Sequence, residues 1–216
     1  STEISEGMFR RNIPSYPEEV IRELLSNALA HRPYTVRGDV FINIHPDYID
    51  VVNPGRLPLG VTPENILHTT KKRNEHFAAL FYALHMMERE GSGYDMMYET
   101  LLANGKAVPE VTEGEDFVSV RIHRRIISEE VIKVMQYADK QYNMKQKQLI
   151  CLGLIALHES LTASRLISLL NLRDANALRA WLHPLIDKEL VIGTEERSKA
   201  KEYRVNPQLL KDSQYR

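Results

Sequence analysis

Residues Glu18 to His31 read E-E-V-I-R-E-L-L-S-N-A-L-A-H, and the pattern admits one regular structure. Val20, Ile21, Leu24, Leu25 and Ala28 recur at the spacing of a single helical stripe. Ser15 with Glu18 three residues later predicts a capping-box start, and Pro17 suits a first turn. At about 100° per residue, Glu23, Asn27 and His31 line one border of that stripe. A carboxylate, an amide and an imidazole therefore run along the seam where the helix meets a sheet. On spacing alone they fit the solvated edge of an ordinary amphipathic helix.

The chain has 216 residues, room for one large or two small domains, and it opens at Ser1 without an initiator Met. That opening suggests a fragment of a longer protein. No apolar run approaches the roughly 18 residues that cross a membrane, and no signal peptide is visible. A cytoplasmic protein without a membrane partner is expected. Cys151 is the one cysteine, so no internal disulfide can form. Its apolar helical surroundings predict a buried structural thiol in a reducing compartment. The eight histidines show no metal-ligand spacing. Charge is uneven. Residues 1–144 carry 16 Lys+Arg against 21 Asp+Glu, and residues 145–216 carry 12 against 8. The balances are −5 and +4, so the two parts are expected to do different things.

Thr2 to Arg11 reads as a short strand or an arm leading to the helix. Pro33 must end that helix. Val36 to Ile44 and Tyr48 to Val52 predict a hairpin around the His45-Pro46-Asp47 turn. Asn53-Pro54-Gly55 breaks the second strand. Phe77 to Glu90 predicts a helix with Phe77, Leu80, Phe81 and Leu84 inward. Gly91-Ser92-Gly93 interrupts it, and another helix follows to about Ala103. Val108–Val111 and Phe117–His123 predict a closing hairpin, with Pro109 keeping its first strand at an edge. Helix, hairpin, helices, hairpin is an α+β order, with helices on one face of a mixed sheet.

E-x-x-x-N-A-x-x-H over Glu23, Asn27 and His31 resembles the N box of the gyrase, histidine kinase and mismatch-repair ATPase superfamily, the Bergerat fold. The resemblance implies Glu23 as general base on an attacking water and Asn27 as a magnesium ligand. It implies ATP and Mg²⁺ as cofactors. Ile49 to Gly55 occupies the place of the superfamily's adenine-reading D-x-G-x-G segment, and Gly91-Ser92-Gly93 that of its phosphate-binding glycines. A narrower branch carries H-R-x-Y, N-P-G-x-L-P, R-N and E-R-x-G-S/T-G-x-x-x-M. Here these are His31 to Tyr34, Asn53 to Pro58, Arg73-Asn74 and Glu88 to Met97. That branch is the C-terminal ATPase-like domain of bacterial transcriptional regulators labelled as RecG-related ATP-dependent helicases. They usually carry a Schlafen AlbA-type DNA-binding domain ahead of it. The likeness covers roughly residues 10–125 and implies a nucleotide site of Asn27, His31, Asn53, Gly55, Arg73, Gly91 and Gly93.

The departures bear on catalysis. Asn53 stands where the superfamily has Asp, Leu57 where it has its second glycine, and Pro33 where the branch often has Asp. No G-x-x-x-x-G-K-[ST] occurs, so a helicase motor is not expected.

Residues 128–144 read as a linker helix followed by a polar run, which divides an ATP-binding domain at 1–127 from a second domain at 145–210. The second reads as a winged helix: Leu149–Leu157, Ala163–Leu170 and Ala175–Lys188 as helices, then two wing strands. Asp174 is placed to cap the third helix. Arg173, Asn176 and Arg179 fall at its N-terminal end, the part that meets base edges in helix-turn-helix proteins. Arg197, Lys199 and Lys201 fall on the wing, within reach of phosphates. The same residues fit a solvated surface or a protein contact, and Glu195 and Glu196 oppose tight phosphate binding. The whole predicts a regulator that couples ATP binding, with slow hydrolysis or none, to duplex DNA. The alternative is a DNA-binding or oligomerisation module on a vestigial ATPase fold. A homo-oligomer stays open in both.

Overall fold

The computed structural model describes residues 1–6, 9–68, 71, 73–87, 93–194 and 201–212. It opens with an antiparallel hairpin, β1 (Thr2–Glu6) and β2 (Phe9–Ile13), in register from Thr2↔Ile13 to Glu6↔Phe9. Next come α1 (Glu18–His31), β3 (Phe41–Ile44), β4 (Tyr48–Pro54), α2 (Glu75–Ala83), α3 (Gly93–Ala103), β5 (Glu110–Glu113) and β6 (Phe117–His123). The rest is α4 (Glu129–Tyr142), α5 (Gln146–Leu157), β7 (Ser160–Thr162), α6 (Ala163–Leu169), α7 (Ala175–Asp187), β8 (Val191–Gly193), β9 (Glu202–Val205) and α8 (Pro207–Asp212). Two compact units result. The first is Pro14–Leu101 with Ala107–Arg125 and Ser1; the second is Thr2–Ile13, Leu102–Lys106 and Ile126–Arg216.

The first unit is built on a sheet of order β3-β4-β6-β5. Alternation decides which face is buried. Ile49 and Val51 of β4 and Ile122 of β6 point to one face, where Val20, Leu24 and Ala28 of α1 and Met97 and Leu101 of α3 meet them. Each such aliphatic side chain contributes roughly 1.5–3 kcal/mol by leaving water. The expected mixed sheet is antiparallel throughout its described strands, because hairpins join β3 to β4 and β5 to β6 and β4 meets β6 head to tail. Its first strand starts at Phe41 rather than Val36. Beyond Val52, β4 pairs only with β6, and Gly38 takes a left-handed φ of 137° beside the Pro54 ring.

Two other expectations change. The first helix is capped at Pro17 without a side-chain bond, and Glu18 pairs instead with Arg22 on the next turn. The helix expected over Phe77–Glu90 ends at Ala83, and its apolar residues do not all point inward. Ala78 is the buried one, while Phe77, Leu80 and Leu84 are exposed. A nine-residue helix has one side to give to α1, and the residue on that side is small.

In the second unit α4 packs on α5. Val131, Ile132, Val134, Met135 and Ala138 are buried, so the helix expected as a linker carries part of this core. Ile4 and Ile13 of the first hairpin lie against Ile132. The run Leu149 to Ile155 is wholly buried, and Gly153 admits Leu102, whose Cβ would lie 2.9 Å from any Cβ added there. Thr162 caps α6 by accepting from the Arg165 amide, and Asp174 caps α7 by accepting from the Ala177 amide at 2.8 Å. Leu178, Trp181, Leu182 and Leu185 form the inner face of α7. A three-stranded antiparallel sheet of order β7-β9-β8 closes the unit.

Candidate functional site

The polar border of α1 lies inside the first unit. Glu23 is 3% exposed, and its Oε1 accepts from the Asn27 amide at 3.0 Å. The two residues implied as base and metal ligand are therefore in contact across one helical turn. The same carboxylate lies against Gly93, the first residue of α3: a Cβ built there would stand 1.8 Å from Oε1. An anion at a helix start meets free N–H groups and the positive end of the helix dipole. Glu23 thus sits where the resemblance would put phosphate. Tyr94 lies beside it. Burial first, then Tyr98 and Glu23, push the Tyr94 hydroxyl far above its usual range. Burial, then Asp95, raises Tyr98 in the same direction. Gly91 lies outside the described residues.

The other motif residues gather at the C-terminus of α1. A helix leaves its last four carbonyls without intrahelical partners. Here each has a side-chain donor. Asn53 Nδ2 donates to Ala28 O at 2.7 Å, Tyr34 Oη to Leu29 O at 3.1 Å, Asn74 Nδ2 to Ala30 O at 2.9 Å, and Arg73 Nη1 to His31 O at 3.3 Å. Asn74 also reaches Arg32 O, and Arg73 reaches Arg56 O at 2.8 Å. The Arg73 cation stands at the negative end of the helix dipole. Three of the motif segments, H-R-x-Y, N-P-G and R-N, are thus one capping network. Gly55 belongs to it sterically. Its φ is 82°, and a Cβ there would come 2.6 Å from the Pro33 ring.

Between these segments is a cleft of about 40 Å³ lined by His31, Asn53, Arg56, Leu57, Arg73 and Val118, among others. Among the described residues the cleft has room for ordered water. Asn53 Oδ1 is buried there without a hydrogen-bond partner among the described residues, an acceptor suited to an amino group. That acceptor suits an adenine amine, which would donate to it.

In the second unit Arg173, just before the N-cap of α7, and Asn176 and Arg179 on its first turns are all exposed. Arg173 Nε lies 3.6 Å from Asp174 Oδ2. The Ala177 amide first, then the Arg173 charge, hold the Asp174 carboxyl below its usual range. Lys201 is exposed just before β9, its Nζ 5.7 Å from the Tyr203 ring centroid. Arg197 and Lys199 lie outside the described residues. Arg204 on β9 and Arg165 on α6 are also exposed cations, and a pattern search centred on one helix end and one wing tip overlooks them. Among the described residues no cluster of three or more His, Cys, Asp or Glu could hold a metal, and no helix is long and apolar enough to cross a membrane.

The architecture is α+β, helices against antiparallel sheets. Residues 38–122 match the family described as "Putative ATP-dependent DNA helicase recG C-terminal". The match supports an ATPase-like domain in the first unit and begins after α1, so it does not include Glu23 or Asn27. The fold is similar to the crystal structure of the DIP2311 protein from Corynebacterium diphtheriae, with a TM-score of 0.77 at 20% identity. The likeness covers all of this chain and 44% of that one, so this chain spans less than half of its relative's length. No curated protein matches the chain.

Proposed function

We propose that this chain is part of a bacterial, cytoplasmic transcriptional regulator that contacts duplex DNA through its second unit. The observation that carries this is Arg173, Asn176 and Arg179 standing exposed at the start of α7 while the far side of that helix is buried. Helix, short strand, helix, helix and hairpin is the order of a winged helix, which offers such a helix end to base edges and the hairpin to phosphates. The ATPase-like unit then serves as a scaffold. Two of the residues that would read a nucleotide, Asn53 and Arg73, donate to the last carbonyls of α1. Fluorescence anisotropy with a labelled duplex tests the DNA role. Binding at about 10⁻⁴–10⁻⁶ M that weakens with salt is expected. No signal change at low salt with about 100 µM protein overturns it.

A second reading keeps Mg·ATP as an effector. It is favoured by the buried Asn53 Oδ1 and by the Glu23–Asn27 contact. Asn27 and Glu23 would hold the magnesium side, and Asn53 the base. Calorimetric titration with Mg²⁺ and a non-hydrolysable ATP analogue separates the two. Heat at about 10 µM to 1 mM ligand, lost in Asn27→Ala, supports the nucleotide reading. Silence at millimolar ligand leaves the scaffold.

A further inference from the structure

The sheet of the first unit ends on β3, and that edge is apolar on both of its faces. Phe41 is 57%, Ile42 51% and Ile44 77% exposed. Side chains alternate along a strand, so Ile42 and Ile44 share a face with their register partners Val51 and Ile49, and Phe41 falls on the other. A helix laid on the sheet would cover one face alone. A strand added at the edge flanks all three residues. The edge also lacks the usual protection, since Phe41 to Ile44 holds no Pro, no Lys and no other charge. The chain around it is described without a break from Phe9 to His68. Its backbone has a definite direction. His45 N–H donates to Tyr48 O at 2.9 Å, so the hydrogen-bonded pairs with β4 are those of His45, Asn43 and Phe41. The amide and carbonyl of Ile42, and those of Ile44, therefore point away from β4.

We infer that two copies of this chain join through β3, antiparallel about a twofold axis at Ile42, so that their sheets become one. A twofold contact presents the same patch from both sides and must be complementary to itself. The stretch from Arg37 to Asp47 is complementary to itself in one register. Outward residues must meet outward residues, which puts the axis on a residue of the strand rather than between two. An axis at Ile44 sets Ile42 against Pro46, which has no amide to give. An axis at Asn43 sets Val40 against Pro46 and Asp39 against Asp47, and like charges directly opposite are unfavourable. An axis at Phe41 sets Ile44 against Gly38, whose φ of 137° departs from a strand. An axis at Ile42 sets Ile42 against itself and Val40 against Ile44. It also brings Asp39 towards the partner's His45 and Arg37 towards the partner's Asp47. Charge complementarity thus selects both the occupant and its register. Strands of four residues make a small contact, under the roughly 1,200 Å² of a standard interface. Dissociation on the order of 10–200 µM is expected.

Sedimentation equilibrium of the whole chain, from about 5 to about 500 µM, tests this. The wild type is expected to pass from monomer to dimer. Ile44→Lys puts a charge on the edge and should weaken the dimer at least about tenfold. The unfolding midpoint should stay unchanged, since that side chain is exposed. Ile42 stands on the proposed axis, where facing Cα atoms lie about 5.5 Å apart, within reach of a disulfide. Ile42→Cys should therefore give a linked dimer under mild oxidation. Asn43→Cys should stay unlinked, because in this register it faces the partner's Phe41. Cys151 is buried and does not compete. The cysteine readout stands if Ile44→Lys fails to fold. A wild type monomeric at every concentration, a dimer indifferent to Ile44→Lys, or linkage through Asn43→Cys in place of Ile42→Cys overturns the assignment.

Discussion

The side-chain amide of Asn74 donates to the carbonyls of both Ala30 and Arg32, at 2.9 and 2.7 Å, and so ties the segment before α2 to the end of α1. Removing a donor strands two carbonyls in a half-buried place, and a stranded acceptor costs about 1–3 kcal/mol. Asn74→Ala should therefore lower stability by about 2 kcal/mol. Asn74→Asp should do worse, because a carboxylate would face two carbonyl oxygens. Urea unfolding with an unchanged m-value checks both. Equal stability of all three proteins would mean that water caps the helix instead.

The packing of Glu23 against Gly93 gives a second expectation. A methyl group on Gly93 would occupy the place of the Glu23 carboxylate. Gly93→Ala should cost about 1–3 kcal/mol, the range for an overpacked interior. Glu23→Ala removes the obstruction, so the double variant should be more stable than the sum of the two single losses predicts. A coupling energy of about 1 kcal/mol or more in the double-mutant cycle is the expected result. Simple additivity would place Glu23 away from α3 in solution.

How much of this was legible in the residues follows from the kind of interaction involved. Periodicity marked α1, and a capping residue marked α7, because both signals are local: Leu24 and Ala28 recur on one face, and Asp174 sits three residues before the amide it accepts. The motif residues were legible as a group but not in their structural role. Asn53 is 25 positions from Ala28, and Arg73 is 42 from His31, so nothing local announces that they cap the same helix. The exposed face of α2 was misread for a related reason. A stripe at Phe77, Leu80, Phe81 and Leu84 states that the helix packs on something; it cannot state whether the partner lies in the same unit. The extent of α4 was under-read because its polar C-terminal run hid a buried face that includes Ala138.

Cys151 supplies a pH dependence. Burial alone pushes its thiol up to about 12. A group whose folded pKa is raised contributes stability that is whole below its ordinary value near 9 and is lost as pH rises towards the folded value. Stability should therefore fall above pH 9, by up to about 1.4 kcal/mol per pH unit from this group. Buried tyrosines push the same way at higher pH, so the comparison is with Cys151→Ala, which should be less stable at neutral pH but shallower between pH 9 and 10. The native thiol should also resist a disulfide reagent at pH 8 and react on unfolding. Rapid labelling of the folded protein would place Cys151 in reach of solvent.

The DNA reading assigns different duties to different cations. Arg179 and Arg173 stand at the start of α7, where a side chain can reach a base edge, and Lys201 just before β9 and Arg204 on it lie where a hairpin reaches phosphates. A lone phosphate contact adds affinity for every sequence and releases about one counterion, so its loss lowers the salt slope by about 1. Lys201→Ala with Arg204→Ala should weaken binding to all duplexes alike and flatten log K against log salt by about 2. Arg179→Ala should instead cost about 1–3 kcal/mol on a preferred site and relax the preference there, with a smaller change on unrelated duplexes. Anisotropy at about 50 and about 200 mM salt, with two unrelated duplexes, separates these effects. If the β9 pair leaves the slope untouched while Arg165→Ala reduces it, the phosphates run along α6 rather than the hairpin. The docking of α7 would then have to be turned accordingly.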